Sequence, residues 1–354
     1  MDVKELRTRI DSLDKKLVDV ITERVKVALK IAEVKKKKKI HPYSPEREAQ
    51  LLRRIRKLNP GVIPDEVFEF LFTQIMSITF SLSKPLKIAY FGPQATFTHL
   101  AAIKKFGEKV EFLPFTDIPA IFSAAEKGEV NFGVVPIENS TEGVVTHTLD
   151  MFMDSNLSIC SEVVLKITQH LLGSGSLSRI KKVYSHPQGF AQCRKWLAKH
   201  MAGRAFIDAQ TTASAAEIVR RKKDSVCIAS QACAKLYGLK ILAHDIQDSS
   251  DNVTRFLVIG KYITKPSGHD KTSILFSVKD RVGALHDMLV PFKKHTINLT
   301  KIESRPSKKK PWEYYFFVDF QGHRDETKVK KALRELEKKC HFVNILGSYP
   351  KALW

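Results

Sequence analysis

The chain has 354 residues, enough for two or three domains whose cores need no disulfide or metal. Apolar residues make up 43% and charged residues 27% of the sequence, which excludes fibrous, collagen-like and wholly disordered proteins. The 59 Lys and Arg against 38 Asp and Glu give a formal charge of +21. This charge predicts an anionic partner such as nucleic acid, a membrane surface or small polyanionic substrates.

The five cysteines are scattered and form no Cys-x-x-Cys pair, which indicates free thiols in a reducing compartment. The first sixteen residues carry too many charges for a secretory signal. No apolar run reaches the roughly 18 residues that a membrane span needs. The sequence therefore predicts a cytoplasmic protein that does not bind a membrane.

Residues 1–84 predict an all-α domain. Apolar side chains recur at helical spacing from Leu6 to Ile31. A helix of that length predicts packing against another long helix, which a second copy of the chain could supply. The segment 41–45 interrupts this helix, and two further helices are predicted at 46–58 and 64–84.

Residues 86–262 alternate short β-branched runs with helical patterns, which predicts an α/β domain with a largely parallel sheet. The segment 264–271 is rich in Pro, Gly and charge and is predicted to be a linker. Residues 271–350 then follow the order β-α-β-β-α-β, a ferredoxin-like unit. Its small size favours a regulatory role.

Motifs for metal, nucleotide and flavin binding are absent from the sequence. It contains no Gly-x-x-x-x-Gly-Lys-[Ser/Thr], no His-Glu-x-x-His and no Gly-x-Ser-x-Gly, and Gly173-Ser174-Gly175 lacks the third glycine of a dinucleotide fingerprint. The twelve histidines show no metal-ligand spacing. We therefore expect no cofactor and no metal.

Basic residues in the first helix are spaced to bind a small anion. Arg24 and Lys35 are eleven residues apart, so they lie within about 20° of one helix face and roughly 16 Å apart. Two long side chains can close that gap on one anion. Arg7 lies roughly 25 Å from Arg24 along the same helix, so it could share the anion only if a partner chain supplied it.

Four short motifs resemble the all-helical chorismate mutase family: L-R-x-x-I-D-x-L-D at 6–14, E-R at 23–24, V-K at 34–35 and P-E-R-E at 45–48. The resemblance implies an intertwined dimer in which Arg7 (in trans), Arg24 and Arg47 bind the substrate carboxylates. It also implies that Lys35 contacts the breaking ether oxygen and that Glu48 holds the ring hydroxyl.

The mutase-like segment departs from that family at two places. Ser44 stands where the family usually has Asp, and Thr79 and Ser83 align with a Ser and a Gln of the third helix. The Gln side chain normally donates a hydrogen bond to the ether oxygen, and serine is too short to reach it. Ser83 therefore predicts a slow mutase or, as an alternative, a degenerate domain that serves only dimerisation.

Five segments, in order, resemble prephenate dehydratase over residues 86–260: GPQATFTHLAA at 92–102, VPIENSTEG at 135–143, YSHPQGFAQC at 184–193, TTASAA at 211–216 and NVTRF at 252–256. The resemblance implies two α/β lobes of the periplasmic-binding-protein-like kind, with the active site in the cleft between them. The substrate would be prephenate, which loses hydroxide and carbon dioxide as its ring becomes aromatic.

Polar residues in these segments suit a dicarboxylate. Ser185 and Gln188 could form a capping box at a helix start, where anions also bind, and Gln192 lies one turn further on. Glu138 and Asn139 end a probable strand, where α/β folds place their ligands.

The same resemblance implies how the reaction is catalysed. The hydroxyl of Thr254 would be the general acid that protonates the leaving hydroxyl, while Asn139, Ser185 and Gln192 position prephenate. Arg255, beside Thr254, could bind a carboxylate through two hydrogen bonds. Thr254 could alternatively be an ordinary edge-strand threonine.

The C-terminal unit carries GALH at 283–286 and IESRP at 302–306, which resemble the phenylalanine-binding ACT domain. The resemblance implies that phenylalanine binds between two such units and inhibits the dehydratase. His286 departs from the more usual Val. The predicted effector site comprises Gly283, Ala284, Leu285, Asn298, Glu303, Ser304 and Arg305.

Together the three resemblances imply a bifunctional enzyme of phenylalanine biosynthesis that converts chorismate to prephenate and prephenate to phenylpyruvate. It would be a homodimer or a higher homo-oligomer. One alternative is a monofunctional dehydratase with a relic helical domain. A nucleic-acid-binding protein is the other, but few aromatic residues surround the run Lys35–Lys39 and no recognition motif is present, so we expect no nucleic-acid partner.

Overall fold

The structure, a computed structural model, describes residues 2–278, 281–306 and 314–352. Its first region consists of three helices, α1 (Val3–Lys37), α2 (Pro45–Leu58) and α3 (Asp65–Ser83), as the sequence predicts. Asp2 caps α1 in a capping box with Glu5. No residue of α1 is buried, and its apolar side chains, such as Leu13 and Leu17, are exposed.

The second region has eleven strands: β1 (Lys87–Phe91), β2 (Glu111–Phe115), β3 (Phe132–Asn139), β4 (Gly143–Val144), β5 (Ser158–Lys166), β6 (His170–Gly173), β7 (Lys182–Ser185), β8 (Ala205–Asp208), β9 (Ser225–Ala229), β10 (Lys240–Ala243) and β11 (Val253–Gly260). Its helices are α4 (Phe97–Phe106), α5 (Ile118–Lys127), α6 (Thr146–Met151), α7 (Pro187–Gln192), α8 (Arg194–His200), α9 (Thr212–Val219) and α10 (Gln231–Tyr237).

These strands form two sheets, and hence two lobes. The six-stranded sheet has the order β2-β1-β3-β11-β5 with β4 paired to β3, and the five-stranded sheet has the order β10-β6-β9-β7-β8. The two-lobed α/β prediction is confirmed, but the prediction of a largely parallel sheet is wrong, because both sheets are mixed. In the first lobe β11 runs antiparallel to both β3 and β5, where the chain returns through it from the second lobe, and in the second lobe β6 runs antiparallel to both β9 and β10.

The third region is the predicted β-α-β-β-α-β unit. It comprises β12 (Asp270–Ser277), α11 (Ala284–Lys294), β13 (Leu299–Pro306), β14 (Tyr314–Gln321), α12 (Thr327–Glu337) and β15 (Phe342–Pro350). Its antiparallel sheet has the order β13-β14-β12-β15. A Cβ atom on Gly347 of β15 would lie 2.2 Å from the carbonyl oxygen of Ile159 in β5, so this unit packs closely on the first lobe.

The first-lobe sheet carries the other two regions on its two faces. Val135 and Ile137 of β3 belong to an apolar cluster that extends into the third region through Phe317 and Leu346. Phe132 and Val134 belong to a second cluster that includes Tyr43, from the segment between α1 and α2. Alternate residues of one strand thus pack against different regions.

None of the described helices combines the length and apolar character that crossing a membrane requires.

Candidate functional site

A cavity of about 540 Å³ lies between the two lobes. All five dehydratase-like segments supply polar side chains to its wall. These side chains include Thr96, Thr98, Asn139, Gln188, Gln192, Thr211, Thr212 and Thr254. The structure therefore brings together residues that are as much as 158 positions apart in the chain, Thr96 and Thr254.

Thr254 and Asn139 face each other across the pairing of β11 with β3. The side-chain Nδ2 of Asn139 donates a hydrogen bond to Thr254 Oγ1 at 2.8 Å and another to Asn252 Oδ1 at 2.7 Å. Asn139 Oδ1 accepts from the backbone N–H groups of Thr141 and Glu142, both at 3.0 Å. Because backbone amides can only donate, they fix which end of the Asn139 amide faces Thr254.

Gln192 lines the cavity from α7, and its Oε1 accepts a hydrogen bond from Gln169 Nε2 at 3.0 Å. The donor end of the Gln192 amide is therefore left for a ligand. Gln169 also lines the cavity, is buried, and has an Oε1 atom without a partner among the described residues. Sequence reasoning missed Gln169, which lies just before β6 and matches none of the motifs.

Ser185 is fully buried at the end of β7 and does not line the cavity. Its hydroxyl donates to Ile228 O at 3.2 Å. The predicted Ser185–Gln188 capping box is wrong, because α7 begins at Pro187 and His186 is its cap. The Nδ1 of His186 accepts from the Gln188 N–H at 3.2 Å, and burial lowers the pKa of His186, which favours this neutral acceptor.

Arg255 and Glu138 do not line the cleft; they lie on the other face of the first-lobe sheet. Arg255 forms ion pairs with Glu162 at 2.7 Å, Glu138 at 3.0 Å and Asp319 at 2.5 Å. Its Nη2 also donates to Tyr349 Oη at 2.8 Å. The predicted contact of Arg255 with a substrate carboxylate is therefore not what the structure shows.

This Arg255 cluster joins the dehydratase-like region to the ferredoxin-like unit, since Asp319 and Tyr349 belong to β14 and β15. Burial raises the pKa of Glu138, but the cations Lys301 and Arg255 outweigh it and lower the pKa overall. Burial likewise lowers the pKa of Arg255, but the Tyr349 hydroxyl and the surrounding carboxylates raise it well above the ordinary value. The cluster therefore stays ionised near neutral pH.

A second cavity, of about 170 Å³, lies among the three N-terminal helices. All of the predicted mutase residues except Arg7 line it: Arg24, Lys35, Ser44, Arg47, Glu48, Thr79 and Ser83. Desolvation lowers the pKa of Arg24 and also that of Lys35, which Glu46 partly offsets. Lys35 Nζ donates to Pro42 O at 2.9 Å.

A third cavity, of about 300 Å³, opens at the start of α11. Gly283, Ala284 and Leu285 line it together with Tyr314 and Phe316. The other residues predicted for the effector site lie outside its lining: Asn298, Glu303, Ser304 and Arg305. Glu303, Ser304 and Arg305 lie on β13, an edge strand, and Arg305 pairs with Asp150 of α6 at 3.1 Å.

Among the described residues, no group of three or more His, Cys, Asp and Glu side chains is arranged to hold a metal ion.

Two lobes around a polar cleft, a cationic cavity among helices and a terminal βαββαβ unit define a multidomain enzyme of small anionic substrates. Three family models match the chain in this order: chorismate mutase type II over 6–84, prephenate dehydratase over 88–263 and the ACT domain over 272–338. They coincide with the three structural regions.

Full-length relatives share this arrangement. A bifunctional chorismate mutase/prephenate dehydratase of Aquifex aeolicus is 48% identical and covers 99% of both chains. One from Pseudomonas aeruginosa is 45% identical over 99% of this chain and 98% of its own. The crystal structure of prephenate dehydratase from Arthrobacter aurescens in complex with L-Phe has a TM-score of 0.70 and 32% identity, covering 75% of this chain and 90% of that one.

The chain belongs to the family of bifunctional chorismate mutase/prephenate dehydratases. The predicted family, its fold class and its two enzymatic activities are thereby confirmed. Its third region is an ACT domain, the regulatory unit of this family.

The Arg255 cluster leads to a first prediction. Arg255→Gln should lower the free energy of unfolding by about 3–5 kcal/mol, because the buried Asp319 loses its cation while Glu162 and Glu138 keep only Lys271 and Lys301. Urea unfolding measures the loss. Arg305→Gln is the control. It breaks a single ion pair, with Asp150, which is more exposed to solvent, and should cost about 1 kcal/mol or less. Unchanged stability of Arg255→Gln with lost dehydratase activity would instead place Arg255 on the substrate.

Proposed function

We propose that Thr254 protonates the leaving hydroxyl of prephenate and that Asn139 prepares it for this role. The observation that carries the proposal is the 2.8 Å hydrogen bond from Asn139 Nδ2 to Thr254 Oγ1. Because Thr254 accepts this bond, its own hydrogen is left to be donated into the cleft. An N–H donated to the oxygen also stabilises the negative charge that develops there as the proton leaves.

The bonds that break are the ring C–O bond and the bond from the ring to its carboxylate. The electron pair of the second bond enters the ring, carbon dioxide leaves, and the protonated hydroxyl departs as water. Solvent then returns a proton to Thr254. Aromatisation drives the reaction, so the residues of the site orient the substrate and supply one proton, an effect typically worth about 10²–10⁴-fold.

We infer that neutral donors bind the substrate carboxylates in the cleft. Among the described cleft-lining residues there is no Lys or Arg. The donors on the cleft wall include the Gln192 amide, the hydroxyl of Thr212 and backbone N–H groups where α9 begins. Ser185 packs directly against the backbone of Gly189, because a Cβ atom added to that glycine would lie 2.3 Å from Ser185 Oγ.

In the mutase cavity we propose the family roles for the lining residues. Arg24 and Arg47 bind the carboxylates, Lys35 contacts the ether oxygen and Glu48 accepts the ring hydroxyl. Arg7 lies outside the cavity, which supports its delivery from a second chain. The exposed apolar face of α1, including Leu13 and Leu17, supports a homodimer built on that helix.

We further propose that phenylalanine binds the cavity at the start of α11 and inhibits the dehydratase. Small residues at Gly283 and Ala284 let the ligand approach backbone N–H groups, and Phe316 and Leu285 can contact its ring. The β13 residues of a second ACT domain, from another copy of the chain, would complete the site. The five free thiols support residence in the cytoplasm.

Thr254→Val tests the acid role. Valine is nearly isosteric, so the variant should stay folded while phenylpyruvate formation falls at least 100-fold and the mutase step is unchanged. Thr148→Val, which removes a buried hydroxyl that does not line the cleft, is the control and should keep its dehydratase rate. A Thr254→Val enzyme that retains more than about a tenth of the rate would exclude Thr254 as the acid.

Ser83→Gln should raise chorismate turnover. Ser83 lines the mutase cavity, but its hydroxyl bonds to Phe80 O at 3.3 Å, and glutamine can reach the substrate ether. A missing donor of this kind commonly costs about 10²–10³ in rate, so we expect a gain of at least tenfold. Ser81→Gln, on the exposed side of α3, should change nothing. No gain in Ser83→Gln would show that Lys35 suffices at the ether oxygen.

Calorimetric titration of L-phenylalanine into the full chain, with a dehydratase assay, tests the effector. We expect saturable heat and inhibition, because a ligand that favours a less active arrangement must bind that arrangement better. D-Phenylalanine is the control ligand. No heat and no inhibition at millimolar L-phenylalanine would show that the ACT domain binds a different effector or none.

A further inference from the structure

The mutase cavity contains a carboxylate that the dehydratase domain holds in place. Glu48 is the one acidic residue among the described residues that line this cavity. Its Oε2 atom lies 2.8 Å from the Nζ of Lys105, and the two side chains are only 5% and 13% exposed. Lys105 belongs to α4, a helix of the dehydratase domain.

Tyr43 contacts the same carboxylate. Its hydroxyl donates to Glu48 Oε2, and its ring lies 5.3 Å from both Phe106 and Phe132 between centroids. Phe106 follows Lys105 on α4 and stacks on Phe132 of β3 at 5.8 Å. Tyr43, which lines the mutase cavity beside Glu48, therefore packs directly on the aromatic core of the dehydratase domain. This core holds α4, and with it Lys105, in place.

Both hydrogen bonds go to one oxygen of Glu48. Among the described residues no donor reaches the other oxygen, Oε1, which is left to accept a hydroxyl proton from the substrate. Chorismate brings two carboxylates into a small cavity, and an unpaired Glu48 carboxylate would repel them. Without Lys105, Glu48 would also lose the partner that fixes the position of its Oε2 atom.

We propose that Lys105 is a positioning residue of the chorismate mutase reaction, supplied by the dehydratase domain of the same chain. It neutralises Glu48 against the dianionic substrate and directs Oε1 toward the ring hydroxyl. The proposal rests on the assignment of Glu48 to the mutase site. It makes the mutase site of this protein dependent on a neighbouring domain.

The test compares Lys105→Met with Lys104→Met. Lys104 is on the same helix, but its Nζ donates to Val164 O at 2.9 Å within the dehydratase domain. Both variants are assayed as full chains with chorismate and, separately, with prephenate. We expect Lys105→Met to lose about tenfold to a hundredfold in mutase kcat/KM, the worth of a charge-assisted hydrogen bond, and to keep its dehydratase rate. Lys104→Met should keep both.

A rescue variant separates positioning from a merely structural contact. Lys105→Arg keeps a charged donor beside Glu48 and should restore most of the mutase rate that Lys105→Met loses.

A double variant covers the case in which Lys105→Met folds poorly. Glu48→Gln with Lys105→Met has no unpaired buried charge, and it should be as active a mutase as Glu48→Gln alone. A further loss in the double variant, or normal mutase activity in Lys105→Met, would overturn the proposal. No chorismate turnover in the unmodified chain would instead overturn the mutase assignment itself.

Discussion

The architecture of this enzyme depends on the alternation of side chains along β11. Thr254 faces the cleft between the lobes, where Asn139 orients its hydroxyl. Arg255, the next residue, faces the opposite side, where it pairs with Glu162 and with Asp319 of the ACT domain. One peptide bond therefore separates the proposed catalytic acid from the buried charge that attaches the regulatory domain.

This arrangement gives the ACT domain a direct physical route to the active site. Any effector-dependent shift of β14 that moves Asp319 acts on Arg255, whose backbone is paired with Glu138 in β3. A buried arginine with several carboxylate partners cannot lose one of them cheaply, so the strand and its partners move together or not at all.

The first-lobe sheet also organises the mutase side of the molecule. Tyr43 inserts into its apolar cluster, and Ser77 of α3 lies so close to Gly107 that a Cβ there would clash at 2.5 Å. Lys105 reaches from α4, which ends just before Gly107, to Glu48. The helical domain and the ACT domain thus both pack closely against the dehydratase domain, on opposite faces of the first-lobe sheet.

Much of this could be predicted from the sequence, because helical periodicity and short motifs are local. The approximate bounds of α2 and α3 follow from apolar spacing and from the turn residues around them, and the cleft is implied by the resemblance of five segments to prephenate dehydratase. The face of the sheet from which the Arg255 side chain projects could not be predicted, because its partners Asp319 and Tyr349 come from a domain that is distant in sequence. The cap of α7 was missed because Pro187 occupies the first helical position, which moves the cap to His186.

The contact between Lys105 and Glu48 lies beyond sequence reasoning for a similar reason. A lysine in an amphipathic helix is most simply interpreted as solvated, and it is the packing of Tyr43 into the dehydratase core and of Ser77 against Gly107 that brings α4 to the mutase cavity. The segment 41–45, which the sequence marks only as a helix break, is therefore one of the contacts that join the two catalytic domains.

The most direct test is to supply the purified full-length chain with chorismate and, in a separate reaction, with prephenate, and to follow both prephenate and phenylpyruvate over time. We predict phenylpyruvate from both substrates, and more slowly from chorismate than from prephenate, because Ser83 makes the mutase step slow. Phenylpyruvate from prephenate alone, with chorismate left unconsumed, would contradict the account and show a dehydratase whose helical domain serves only dimerisation.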